Sequence, residues 1–332
     1  VEIIPVRGIG EVHPGADLPA MITKAAPWLR DGDILVITSK IVSKAEGQLV
    51  EVPAEGPERD TAREELLAAE TARTVARRGN TRIVQTHHGF IMASAGIDAS
   101  NVDPTRLVLL PKDPDASARA LRSVLQERYG VDIAVIISDT MGRPWRNGLT
   151  DVALGVAGIA AIRDHRGEVD PYGNELHITQ MAIADELASA ADLVKGKRDR
   201  VPAAVIRGYL GPAEDADGAA ALIRDAASDL FSMGTAEARA AGLRAAATLT
   251  DATAFTLDGD PVELAALARA VAGFSAAVLA ANQPGLPPGT VAVVRLETPS
   301  ELDIHRIRCA LGAEGLATIW LPGPSVLAVG RS

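Results

Sequence analysis

The sequence holds one cysteine, Cys309, in 332 residues, which excludes an internal disulfide framework and a cysteine-rich zinc site. That thiol reads as a small buried hydrophobe on a helix. Positive charge is in deficit: 33 Lys and Arg stand against 43 Asp and Glu, a formal net charge of −10. Nucleic-acid binding needs a cationic surface that displaces counterions, so no nucleic-acid partner is expected. A local cationic pocket for a phosphorylated small molecule is not excluded by net charge. No stretch has the length and apolarity of a membrane span, and no secretory signal is visible. A cytoplasmic protein without membrane attachment is therefore expected. The pattern GxxxxGK[ST] is missing too, and with it the familiar P-loop.

What is present is an ordinary globular composition, 47% hydrophobic and 23% charged, long enough for one large domain or two with a substantial core. Two segments share a plan. "DGDILVITSKIVSKAEG" (31–47) carries an apolar strand, Ile34–Thr38, ending in Ser39 and Lys40, with Ser43 and Lys44 close behind. "VDIAVIISDTMG" (131–142) repeats the plan with Ser138, Asp139 and Thr140 after the strand Ile133–Ile137. Short continuous apolar runs of this kind are strands buried on both faces, and polar groups at their ends are held rigidly enough to share a site. Helices are expected over 58–77, 117–128 and 178–194, the last closed by Gly196, with a further strand over 202–211. The second half of 228–247 reads as an alanine-rich helix. After it come the proline-rich loop 282–290, a strand at 291–297 and a helix near 300–313. The class is α/β to α+β: a mixed sheet with flanking helices, then a small α+β C-terminal region. The domain boundary is placed near residue 245, giving domains 1–245 and 246–332.

Oxygen ligands and cations alternate along the first domain. Asp98 in "SAGIDASN", with Asp139 and Thr140, forms a hard-ligand set suited to magnesium or manganese bound with water and phosphate. For either aspartate alone, capping a turn or helix is the simpler reading. Lys40 and Lys44, and Arg143 and Arg146, are the charges that phosphates or carboxylates call for, while solvated surface cations are the plainer alternative. "RGIGEVHPGADL" (7–18) supplies Gly8 and Gly10, which let backbone approach a ligand closely, and Glu11; a simple turn explains it equally well. His87–His88 lacks metal-ligand spacing and reads as structural or surface. Glu175, in the turn "DPYGNEL", is within the set of polar groups that reach a metal or amine.

Seven segments taken together, "PVRGIGEVHPGADL", "DGDILVITSKIVSKAEG", "AGIDASNV", "SDTMGRPWRNGLTDVALG", "DPYGNEL", "ADELASAADLVKGK" and "VIRGY", resemble the coenzyme F-420:L-glutamate ligases, in family order and over roughly residues 1–245. The resemblance implies a dimeric enzyme of unusual mixed fold that makes the side chain of a deazaflavin cofactor. It implies GTP as co-substrate, F-420-0 and L-glutamate as substrates, and two divalent cations, magnesium or manganese, with a monovalent cation as an option. At matching positions it assigns Asp98, Asp139 and Thr140 to metal. It assigns Ile9, Gly10, Glu11, Val12, Ser39, Lys40, Lys44 and Asn101 to nucleotide, together with Gly196 and Lys197 of a segment closing over it. Asp139, Asp98 and Lys44 are then the catalytic set, and Arg143, Arg146, Asn147 and Glu175 the candidates for holding substrate. The implied chemistry is an acyl phosphate, formed from the γ-phosphoryl of GTP and attacked by the glutamate amine.

The tail departs from the pattern. Actinobacterial members can carry a C-terminal flavin domain of the nitroreductase type, and "LDGDPVELAALARAVAG" and "RIRCALGAEGLATIWLPG" faintly resemble pieces of it. Fewer than ninety residues are too few for a complete one, so FMN binding is not expected. Two rival readings stay open: a metal-dependent phosphotransferase acting on another small acceptor, and a non-catalytic F-420- or nucleotide-binding module.

Overall fold

The computed structural model describes residues 1–196, 200–209, 218–257, 262–323 and 325–331. The chain forms two compact units, Val1–Ser232 and Met233–Ser332. Unit 1 begins with β1 (Glu2–Val6), α1 (Leu18–Ala25), β2 (Ile34–Thr38), α2 (Ser39–Ala45), β3 (Leu49–Glu51) and α3 (Pro57–Ala69). Next come β4 (Thr71–Arg78), β5 (Thr81–Thr86), β6 (Ile91–Ala93), β7 (Arg106–Val108) and α4 (Pro114–Tyr129). The rest is β8 (Ala134–Arg143), β9 (Arg146–Ala157), β10 (Arg163–Asp164), β11 (Gln180–Met181), α5 (Ile183–Asp192) and β12 (Ala203–Arg207).

The central sheet has the order β1-β12-β2-β8-β9. It is mixed: β2 and β8 run parallel, and the other neighbours are antiparallel. Successive side chains of a strand point to opposite faces. Leu35, Ile37, Val135, Ile137 and Val205 accordingly share one core with Ile22 of α1 and Leu121 and Leu125 of α4. Val36, Ile136, Ala204 and Ile206 share the other with Ala184, Leu187 and Ala188 of α5. Burial on both faces is the reason these strands are apolar at every position. Mixed α/β architecture with flanking helices is therefore the class of the protein.

Three elements differ from the sequence expectation. The helix expected over 58–77 stops at Ala69, and Thr71–Arg78 is a strand antiparallel to β5. Thr71, Thr74 and Val75 are β-branched, and Val75 alone of this strand is fully turned into the core, a pattern that fits a half-exposed sheet better than a helix. The helix expected over 178–194 begins only at Ile183, because Gln180–Met181 pairs with Arg163–Asp164. The strand expected to end at Ile137 continues to Arg143 and returns as β9, a hairpin turning at Pro144 and Trp145. Its polar composition concealed it. The ladder shifts register between Ile137 and Ser138, and such a bulge re-aims the side chains beyond it.

Unit 2 contains α6 (Thr235–Thr248), α7 (Leu264–Val271), β13 (Ala276–Ala280), β14 (Ala292–Leu296), α8 (Glu301–Ala313), β15 (Leu316–Leu321) and β16 (Val326–Arg331). Its antiparallel sheet has the order β13-β14-β16-β15. Leu267 and Ala270 of α7 and Ile307 and Leu311 of α8 share a core with Val294, Leu327 and Val329. Residue 245 lies inside α6. Cys309 is half-buried on α8, its Sγ 3.4 Å from His305 Nε2.

Candidate functional site

The parallel pairing of β2 with β8 puts Thr38 opposite Ser138. There β2 ends while β8 runs on to Arg143, and the residues after the last pair are delivered to the same place: Ser39 and Lys40 at the start of α2, Asp139 and Thr140 in β8 beyond its bulge. Ligands in α/β sheets characteristically bind at such carboxyl ends.

Asp98 joins them from a separate loop. Its backbone pairs with Val108 through two 2.9 Å hydrogen bonds, which fixes the loop against β7. Lys40 Nζ lies 2.6 Å from Asp98 Oδ2 and donates to Ser100 Oγ at 2.7 Å, while the Ser100 N–H donates to Asp98 Oδ1 at 2.6 Å. Ser94, Ala95 and Asn101 have φ of 52°, 53° and 55°, conformations that cost non-glycine residues energy and collect at functional sites. Gly96, between them, has φ +73°, and a Cβ there would meet Leu110 at 2.8 Å.

Lys44 is a buried partner of Glu11: its Nζ lies 2.6 Å from Glu11 Oε1 and donates to the Asn101 carbonyl at 3.0 Å. This one ammonium ties the 7–12 loop, α2 and the Asp98 loop together. Ile9 and Val12 are buried, so their share in any ligand contact is main-chain. Gly8 and Gly10 have φ of +84° and +76°, a left-handed backbone that glycine adopts without strain. The Lys44 hydrogen bond holds the Glu11 carboxyl below its ordinary range despite some burial.

The carboxylates behave unequally. Burial pushes Asp98 up, but the Lys40 and Ser100 hydrogen bonds outweigh it and the group lies below its ordinary value. Asp139 is pushed up to about 6, first by burial and then by the charges of Asp151 and Asp98, with the Thr140 N–H and Lys40 only partly offsetting them. Its Oδ1 accepts that N–H at 2.7 Å. An acid raised by burial and like charge, beside a hydroxyl, suits a hard cation, whose charge relieves both causes. Thr140 fits this donor set, because its hydroxyl hydrogen goes to Asp151 Oδ1 at 2.9 Å and leaves oxygen lone pairs free. Among the described residues, no group of three or more His, Cys, Asp or Glu is gathered to hold a metal. Asp98, Asp139 and Thr140 would thus hold one with water or phosphate oxygens completing its shell.

Asp151 is the residue that sequence reasoning missed. It sits opposite Thr140 on β9 and accepts from Ser138 Oγ at 2.9 Å, from Thr140, and from Lys195 Nζ at 2.7 Å. Lys195, from the segment expected to close over nucleotide, is turned inward. Gly196 bridges to Val201, and Lys197 lies outside the described residues.

The substrate candidates are not gathered here. Arg143, four residues beyond Asp139, is about 13 Å further along the strand; it and Arg146 are exposed, and Arg143 donates to the Asn147 carbonyl at 3.2 Å. Trp145, with φ +56°, meets Phe231 edge-on at 4.8 Å between ring centroids. Glu175 is exposed, in a loop closed by its own pairing with Val169. Both histidines meet main-chain carbonyls: His87, exposed, has Nε2 2.9 Å from that of Ala69, and His88, half-buried, has Nε2 3.0 Å from that of Pro111.

The family model described as F420-0:Gamma-glutamyl ligase matches residues 8–208, a span that includes every candidate metal, nucleotide and substrate residue named above. The chain is 43% identical over 249 residues to the coenzyme F420:L-glutamate ligase of Methanothermobacter thermautotrophicus, covering 70% of this chain and 98% of that protein. Similar relatives carry the same name in Methanopyrus kandleri, 41% identical with 70% and 97% covered, and in Haloarcula marismortui, 39% identical with 69% and 95% covered. Matches of this depth, spanning nearly the whole of each relative, show that the chain belongs to the F420-0:gamma-glutamyl ligase family.

Proposed function

We propose that unit 1 joins L-glutamate to the deazaflavin precursor F-420-0 by an amide bond, with GTP activating the precursor's carboxylate, in the biosynthesis of coenzyme F-420. The observation that carries this reading is the junction where β2 ends beside β8, at which the 2.6 Å Lys40–Asp98 pair stands beside Asp139 and Thr140. Cations and hard oxygen donors together are what phosphoryl transfer needs, and simple binding of a neutral ligand needs neither.

A carboxylate resists attack by an amine, because its oxygen is a poor leaving group. Transfer of the γ-phosphoryl of GTP gives an acyl phosphate and GDP; the glutamate amine then adds to the acyl carbon, phosphate leaves, and the amine's proton passes to solvent or phosphate. Lys40 and Lys44 counter the charge on the transferring group, and the rigid strand ends fix its position; both effects act through electrostatics and alignment. Ser39, Asn101 and the main chain of Ile9, Gly10, Glu11 and Val12 line the nucleotide side. Asp98, Asp139 and Thr140 are the holders of the divalent cations, which supply Lewis-acid neutralisation of the phosphate oxygens when bound. No protein nucleophile is needed. Arg143 and Arg146 are the proposed contacts for the precursor's phosphodiester or the glutamate carboxylates, and a homodimer is proposed, with exposed Trp145 and Leu149 of the hairpin in its interface.

The test is incubation with F-420-0, GTP, manganese and glutamate, read by mass spectrometry and phosphate release. Product heavier by one glutamyl group, with phosphate released only when both acceptor substrates are present, supports the ligase. A phosphorylated product formed without glutamate would identify a phosphotransferase, and no GTP turnover would leave a binding module.

A further inference from the structure

Among the described residues, Asp151 and Lys195 form the most enclosed ion pair of unit 1, with side chains 4% and 5% exposed and 2.7 Å between Oδ2 and Nζ. Lys195 also donates to Ser138 Oγ at 2.8 Å, and Ser138 is fully buried. The Asp151 carbonyl accepts from Ser189 Oγ at 2.8 Å. Burying two charges usually costs as much as their attraction returns, and well-packed apolar residues often serve stability as well or better. A charged cluster directly beside Asp139 and Thr140 therefore calls for a role other than stability.

We propose that Asp151, held by Lys195, is a positioning residue that orients the Thr140 hydroxyl as an oxygen donor to a divalent cation. This role rests on the cation-holding reading of Asp98, Asp139 and Thr140. A threonine hydroxyl is both donor and acceptor, and only its lone pairs serve a cation. Asp151 is a pure acceptor in its ionised form, so the hydrogen has one destination, Oδ1 at 2.9 Å, and the lone pairs lie away from it. Lys195 engages the other carboxylate oxygen, which fixes the plane of the group. The ammonium also balances the third negative charge near Asp98 and Asp139. Outer groups that orient metal ligands in this way typically change metal affinity by about 10- to 100-fold when replaced.

Two variants separate orientation from packing. In Asp151→Asn the amide keeps the shape, but Lys195 claims its oxygen, and its NH2 then faces Thr140 as a donor. In Asp151→Leu/Lys195→Met both charges and the acceptor are gone, with apolar bulk restored. Manganese affinity is measured by the EPR signal of free Mn2+ on nucleotide-free protein, beside thermal melting in a chelator. The expected result is an affinity lower by about 10- to 100-fold in each folded variant, matched by Thr140→Val and not lowered further when Thr140→Val is added. A variant that melts lower yet binds manganese as wild type would overturn the proposal and leave the cation site standing. Wild-type protein that binds no manganese, or an Asp139→Asn variant that binds it equally well, would overturn the cation site and this proposal with it.

Discussion

Replacing Asp139 by asparagine should stabilise the metal-free protein at pH 8 and remove its response to metal. The folded state pushes this acid from 3.8 up to about 6, chiefly through burial and then through Asp151 and Asp98. Each pKa unit is worth 1.36 kcal/mol, so the ionised form costs at most about 3 kcal/mol, and partial exposure brings the expectation to about 1–3 kcal/mol. The sign comes from proton counting. Between pH 4 and 6 the folded state binds more protons than the unfolded one, so wild-type stability falls as pH rises through that window. The asparagine variant lacks that loss: it should gain nothing below pH 4 and the full 1–3 kcal/mol above pH 6. For a unit of this size that is about 2–4 °C of melting temperature per kcal/mol. Manganese closes or reverses the gap, since ligand at 100 times its dissociation constant adds about 2.7 kcal/mol to wild type and nothing to a variant that cannot bind it. Melting curves at pH 4, 6 and 8, in chelator and in manganese, give every comparison. A variant less stable than wild type by the same amount at every pH in chelator would refute the reasoning. Its turnover should be abolished throughout.

Other outcomes rest on single contacts. Lys40→Met removes the cation that holds down Asp98 and, in part, Asp139, so the acid limb of the kcat/KM pH profile should move toward neutrality, with activity at pH 6 lost disproportionately to that at pH 8. Gly96→Ala puts a side chain at φ +73° and a Cβ 2.8 Å from Leu110; a loss of about 1–3 kcal/mol in chemical denaturation is expected, with nucleotide affinity falling as the Asp98 loop shifts. Arg146→Ala should raise the KM for F-420-0 or glutamate about tenfold with GTP unaffected, and unchanged constants for both would remove the arginine from the substrate site.

Much of the candidate site was legible because it lies where the paired apolar runs of β2 and β8 stop. Ile34–Thr38 and Ile133–Ile137 announce buried strands, and the polar residues that break each run, Ser39 and Lys40, Asp139 and Thr140, are the ones the parallel pairing gathers. Asp98 could be named as an oxygen ligand from its chemistry, but its pairing with Lys40 depends on a loop folded against β7, which no local pattern specifies. Asp151 was illegible for a different reason. In "GLTDVALGV" it is one polar residue before an apolar run, and its place opposite Thr140 depends on the register of a hairpin whose turn, Pro144–Trp145, and polar flanks suppress every strand signal. The helix of 58–77 was drawn too long because good helix formers continue through Ala72, while the Thr71–Arg78 strand is decided by tertiary pairing with β5.

The adjacency of β2 and β8 has a kinetic consequence. Ile34 and Ala134 are partners in register but a hundred residues apart in the chain, and the loop between them must close before they meet. Closing so long a loop is an entropic cost met before any contact compensates it, and parallel pairings of this kind belong to slow-folding topologies. The two halves of the candidate site therefore assemble late, and together. During synthesis the site cannot exist until the ribosome has released β8, and Lys40 waits without Asp139 as its neighbour until then. A chain that stops between the two strands lacks Asp139 and Thr140, however well its helices form.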